Sequence, residues 1–187
     1  MKFKILVSTS PGWITQPIEA NLTTQIDIFS FSRALLSLEK LKDPPELIFD
    51  INQTDNLPDF ISSGVFWLFS DRFLDVLRRF SVPFESIPVT LIGKKTKLSK
   101  YHLFHLLDVR SIVDLNKSEL QSRTNIKSIT LFDLKETDEP MMVRDAYLLS
   151  LVFVRNDLIQ AIQHEQISGC DWMEPADYNF ILNKKRW

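Results

Sequence analysis

Residues 66–82 read FWLFSDRFLDVLRRFSV, and residues 151–167 read LVFVRNDLIQAIQHEQI. Each stretch opens with an apolar run of strand length, passes through a short polar residue and continues with apolar residues at helical spacing. At an offset of 85, Phe73 falls on Leu158, Leu74 on Ile159, Val76 on Ala161, Leu77 on Ile162 and Val82 on Ile167. Asp71 falls on Asn156; both are expected as N-caps, because a short polar side chain accepts a bond from an unpaired first-turn N–H. A helix this short is marginal alone, so each stretch predicts a helix folded back onto its own strand face. The spacing is too long for a solenoid repeat. The pair points to an α+β domain: a mixed, largely antiparallel sheet with two or three packed helices, containing two similar strand–helix units.

Outward from these units, Phe3–Ser8 alternates like a strand and stops at Pro11-Gly12. Residues 13–28 read as loop with one strand. Phe31–Leu41 carries Ala34, Leu35, Leu38 and Leu41 on one helical face before Pro44-Pro45. Glu46–Ile51 and Ser86–Ile92 are expected as strands, and Tyr101–Val113 as one long or two short ones. Asp114 to Lys127 reads as a polar stretch. Strands are expected again at Ile129–Leu134 and Leu148–Val154, with an acidic loop from Asp133 to Pro140. Gly169 is expected to end the second helix, and Cys170–Met173 to close the sheet. The organisation read from this is a variable lead-in over 1–64 packed on a core at 65–178, then a tail at 179–187.

Composition narrows the function. The chain has 187 residues and a formal net charge of −2, which excludes the basic stripe of a general nucleic-acid binder. Fourteen Phe and four Trp supply a large aromatic core. The only cysteine, Cys170, has no internal disulfide partner, which fits a reducing compartment. The start, MKFKILVSTSPGW, is too short in apolar residues for a signal peptide, and no stretch approaches a membrane span. A cytoplasmic protein is expected.

Motifs for chemistry are sparse. With four glycines there is neither a GxGxxG nor a GxxxxGK[ST] sequence, so no cofactor is predicted. His102 and His105 share a face only on a helix. Their neighbours Tyr101, Leu103, Phe104 and Leu106 favour a strand, which separates them. A zinc site is therefore not expected. Cys170 reads as a structural thiol. Carboxylates cluster at Asp133, Glu136, Asp138 and Glu139, and again at Asp171, Glu174 and Asp177, beside Trp172 and Tyr178. Acidic groups with aromatic anchors are the composition of a surface that meets a basic protein partner.

Four segments carry a resemblance in fixed order: FWLFSDRFLDVLRR, FESIPVTL, KYHLFHLLDVRSIVDLNKSE and LSLVFVRNDLIQAIQHEQISGCDWMEP. Together, over roughly 65–175, they resemble the immunity proteins of polymorphic toxin systems, a family formerly catalogued as a domain of unknown function. The stretch Val113 to Ser118 is shorter than the family's and has Asn116 where an acid is usual. The resemblance supplies no catalytic residues. It implies an immunity protein that binds a cognate toxin, encoded by the adjacent gene, and occludes it without catalysis. Asp133, Glu136, Asp138, Glu139, Asp171, Trp172, Glu174, Asp177 and Tyr178 are the expected partner-binding residues. Two other readings stand beside it: a small enzyme using the acidic residues or His102 and His105, and a homodimeric structural protein.

Overall fold

In the computed structural model, which describes residues 2–9, 14–20, 47–51, 57–63, 66–92, 97–122, 125–134 and 139–178, both quoted stretches run from strand into helix. The described elements in chain order are β1 (Phe3–Ser8), β2 (Ile14–Ala20), β3 (Leu47–Ile51), β4 (Phe60–Ser63), β5 (Phe66–Ser70), α1 (Asp71–Arg79), β6 (Phe84–Ile92), β7 (Lys97–Leu106) and β8 (Val109–Arg110). They continue with β9 (Glu119–Ser122), β10 (Asn125–Ser128), β11 (Met142–Asp145), β12 (Val152–Arg155), α2 (Asn156–His164), β13 (Cys170–Met173) and a 3-10 turn at Pro175–Asp177. The expected helix at 31–41 lies outside the described residues.

The strands form a six-stranded sheet ordered β2-β3-β6-β7-β5-β4, a five-stranded sheet ordered β13-β1-β12-β11-β8, and a β9–β10 pair. Pairing is antiparallel except for β3–β6 and β8–β11. The α+β reading holds, with a mixed and mostly antiparallel architecture. β1 lies between β12 and β13, so the first strand is held by the last two. The run Val152-Phe153-Val154 is apolar throughout because both faces of the five-stranded sheet are covered. Val152 and Val154 join a core shared with Phe60, Phe69, Phe73, Leu77, Phe104, Leu158 and Ile162, so this core links both sheets and both helices. Phe153 faces a second core with Phe3, Ile5, Ile112, Ile129, Val143 and Tyr178. Within the first core the Phe69 ring stacks at 4.3 Å on both Phe73 and Phe104.

Several local expectations are corrected. Asp71 and Asn156 are not caps; each is the first helical residue. Ser70, in extended conformation, accepts the Phe73 N–H at 3.2 Å. Asp71 is thereby free to bond His102 Nε2 at 2.7 Å. At α2, Arg155 occupies the cap position without a side-chain bond. Asp157 instead accepts its neighbour's N–H and pairs with Arg155 at 2.6 Å, which holds its carboxyl below the usual range. The two helices leave in the same way, because Ser81 and Gln166 both have φ of 54° and the next residue donates back into the helix at 3.0–3.1 Å. Gly169 does not end α2. At φ +91°, it lets the chain pass Phe60, whose carbonyl oxygen would lie 2.2 Å from an added Cβ. Within the expected polar stretch lie β9 and β10, whereas Ile129–Leu134 forms, among the described residues, one isolated bridge, Val113 to Leu131. The expected Leu148–Val154 strand begins at Val152.

Candidate partner-binding surface

The residues from Ile129 to Leu134 pass the start of β1 and the 3-10 turn, leaving a half-open groove of about 380 Å³. Its wall is built by backbone pairing: Phe132 N–H donates to the Ile112 carbonyl at 2.8 Å, and Ile129 N–H to that of Pro175 at 3.1 Å. Phe3, Ile129, Leu131, Phe132, Leu134 and Ala176 line it together with Lys2, Thr130, Asp133 and Glu139. Phe132 is 46% exposed. A large aromatic standing out of an apolar groove is the usual form of an interface anchor.

The structure brings some of the expected residues to this place and disperses others. Asp133 and Glu139 line the groove, and Asp177 is exposed in the adjoining turn. Glu139 is nearly buried and bound by Lys2 at 2.7 Å, and Glu174 is paired with Lys4 at 2.9 Å. Asp171 is exposed on β13, where its carboxylate accepts the Trp172 N–H at 2.8 Å. Trp172 is partly buried against the first core. Tyr178 is 7% exposed in the second core, and burial pushes its phenol up to about 12. Glu136 and Asp138 lie outside the described residues.

A second hollow of about 470 Å³ is lined by Leu57, Asp59, Ser70, Asp71, Arg72, Lys100 and Tyr101. Most of its polar side chains are in structural use. Asp59 accepts the Ser70 hydroxyl at 2.7 Å and both the N–H and the hydroxyl of Ser168 at 2.9 Å. Ser70 both donates to Asp59 and accepts from Phe73, so its hydroxyl is fixed as a cap. Arg72 donates to the Glu165 carbonyl at 2.6 Å, tying α1 to the exit of α2. Burial pushes the Cys170 thiol up to about 12, away from nucleophile chemistry. His102 and His105 lie three apart on β7 and face different carboxylates, Asp71 at 2.7 Å and Glu85 at 3.4 Å. Among the described residues no group of three or more His, Cys, Asp or Glu side chains is placed to hold a metal.

Comparison with protein families adds the deciding observation: residues 18–177 match the model described as Immunity protein family (Imm11). The chain belongs to the Imm11 immunity protein family. A search of curated proteins finds no significant match. No helix among the described residues of this Imm11 protein is long and apolar enough to cross a membrane.

Membership of this family places the chain among immunity proteins. Asp145, 1% exposed, is the central group holding the groove in shape. One carboxylate oxygen accepts Ile112 and Val113 N–H at 3.1 and 3.0 Å, and the other accepts Tyr147 and Leu148 N–H at 2.8 and 2.7 Å. Ile112 and Val113 are the residues on which Phe132 and Leu131 pair. Beside them Asp114 accepts Asn116 N–H at 3.1 Å, and Ser118 Oγ donates to the Asp114 carbonyl and accepts Thr130 N–H. The Val113–Ser118 stretch that carried part of the resemblance is thus a turn supporting the groove wall. On β11, Arg144 is buried. Its Nη1 donates to the Leu149 carbonyl at 2.9 Å, its guanidinium lies 5.7 Å from the Trp67 ring, and burial holds its pKa down to about 10. Sequence reading missed Asp145, Asp59 and Arg144, because a lone Asp or Arg in a strand gives no signal of its four amide donors or its buried site. Met142 to Asp145 shows no apolar–polar alternation, although all four residues are buried.

Proposed function

We propose that this Imm11 protein neutralises a cognate protein toxin by binding it stoichiometrically and covering its active surface, without chemistry of its own. The toxin is encoded by the adjacent gene. The docking surface is the groove around Phe132, with Asp133 and Asp177 on its rim and Asp171 beyond. The observation that carries this reading is the exposed Phe132 ring standing over an apolar groove between exposed acids. That composition suits a toxin surface with an apolar feature flanked by Lys or Arg, the acids serving mainly to speed association and select the partner. The enzyme reading is less favoured, since Ser70, Cys170, His102 and His105 are each committed to capping, core packing or local pairing.

Co-expression with the toxin tests the proposal. Wild-type protein rescues growth and co-purifies with the toxin. Phe132→Ala weakens the complex by about 2 kcal/mol, roughly 30-fold in Kd, as expected of a central aromatic anchor. Asp133→Lys slows association more than it hastens dissociation. Rescue and affinity unchanged in both variants would remove this groove from the account.

A further inference from the structure

The segment 129–134 is bonded on one side to the residues around Val113. The Asp114 N–H donates to the Thr130 carbonyl and the Phe132 N–H to the Ile112 carbonyl, both at 2.8 Å, and these two bonds flank the Val113–Leu131 bridge. In an antiparallel pair of this kind the opposed residues make no bond to each other. The N–H and C=O of Leu131 therefore point away from Val113. One step earlier on that outer side, the Ile129 N–H reaches the Pro175 carbonyl at 3.1 Å. Beyond that contact lies the open groove of about 380 Å³, which Leu131, Phe132 and Asp133 line together with Phe3 and Ala176. Among the described residues neither the N–H nor the C=O of Leu131 has a hydrogen-bond partner.

These two backbone groups select the occupant. Any partner that fills the groove takes them out of water, and a backbone donor and acceptor buried without partners are costly. A helix cannot answer them, because its own N–H and C=O groups are bonded within it. An extended segment offers one of each. Charge narrows the choice further. Asp133, exposed on the groove, is in no ion pair among the described residues, and Asp177 is exposed in the adjoining turn. Both favour a basic segment. We propose, on the strength of the docking role assigned above to this groove, that it receives an extended segment of the toxin as an added strand. The backbone of that segment bonds the Leu131 N–H and C=O, an apolar side chain covers Phe132, and a lysine or arginine stands beside Asp133.

Amide hydrogen exchange of the full chain, alone and in complex with the proposed cognate toxin, reads the added strand directly. The Leu131 amide exchanges readily in the chain alone and roughly 100-fold more slowly in the complex. A pair of variants supplies the second reading. Leu131→Pro removes the outward N–H and none of the bonds to Ile112 or Asp114, whereas Leu131→Ala shortens the side chain and keeps that N–H. With both variants folded by circular dichroism, the proline variant binds the toxin about tenfold more weakly than the alanine variant, the loss of one hydrogen bond. A Leu131 amide that gains no protection in the complex, with equal affinities for the two variants, overturns the proposal. If Phe132→Ala still weakens that complex, the groove keeps its docking role and only the added strand is lost. Protection of Leu131 that grows with the concentration of this chain alone assigns the edge to a second copy, which also overturns the proposal.

Discussion

Replacing Asp145 tests the scaffold beneath the candidate groove. In Asp145→Ala the four amides of Ile112, Val113, Tyr147 and Leu148 lose their common acceptor inside a site that is 1% exposed. A buried donor left unpaired costs about 1–3 kcal/mol. Four such donors, partly relieved by relaxation of the Tyr147–Leu148 turn, give a loss of at least about 4 kcal/mol, a large share of the roughly 5–15 kcal/mol that stabilises a typical domain. Asp145→Asn keeps the shape and one acceptor oxygen but turns an NH₂ towards the other two donors, a loss of about 2–4 kcal/mol. Urea titration followed by Trp fluorescence measures both. Because Ile112 and Val113 carry the wall that includes Phe132, Asp145→Asn also lowers toxin affinity under conditions where it remains folded. A loss below about 1 kcal/mol in Asp145→Ala would refute the assignment of this carboxylate as the organiser of the groove.

Three further outcomes follow from the packing. Gly169→Ala places a Cβ 2.2 Å from the Phe60 carbonyl oxygen at a φ of +91°, so it destabilises by about 2–4 kcal/mol in the same urea titration. Cys170, with its thiol pushed up to about 12, holds only about one part in ten thousand as thiolate at pH 8; native protein reacts with iodoacetamide far more slowly than protein in urea. Burial, with help from Arg144 and against the pull of Glu85, lowers the His105 pKa below 6.5. Its neutral form is therefore the one the fold favours, the stability it contributes is complete above the unfolded value, and it is lost as pH falls below about 6.5. The slope of stability against pH between 7 and 5 becomes shallower in His105→Gln.

The sequence made legible what depends on local pattern. The strand and helix of each quoted stretch, the whole of β1 and β13, and the strand separation of His102 from His105 follow from apolar spacing alone. At α1 the cap lies one residue before Asp71 because Ser70 is also a good acceptor and takes the Phe73 N–H while Asp71 bonds His102; at α2 no side chain caps the helix. β9 and β10 lie in a polar sequence without clear alternation, and the Thr130 N–H to Ser118 Oγ bond flanks their pairing. At the candidate surface, Asp133 was legible as an exposed acid, yet Phe132 beside it was read only as part of a strand. Leu131 bridges to Val113, and Phe132 is 46% exposed. Glu139 and Glu174 looked like free acids until the fold set Lys2 and Lys4 against them.

The central claim is that this protein acts on its toxin by occupancy. It is tested most directly by titrating purified protein into a fixed amount of the proposed cognate toxin and recording residual toxin activity. The account predicts a linear fall that reaches zero at one chain per toxin, with an isolable complex at the end point. Loss of activity at a small fraction of one equivalent, with the toxin left covalently altered and unbound, would contradict it.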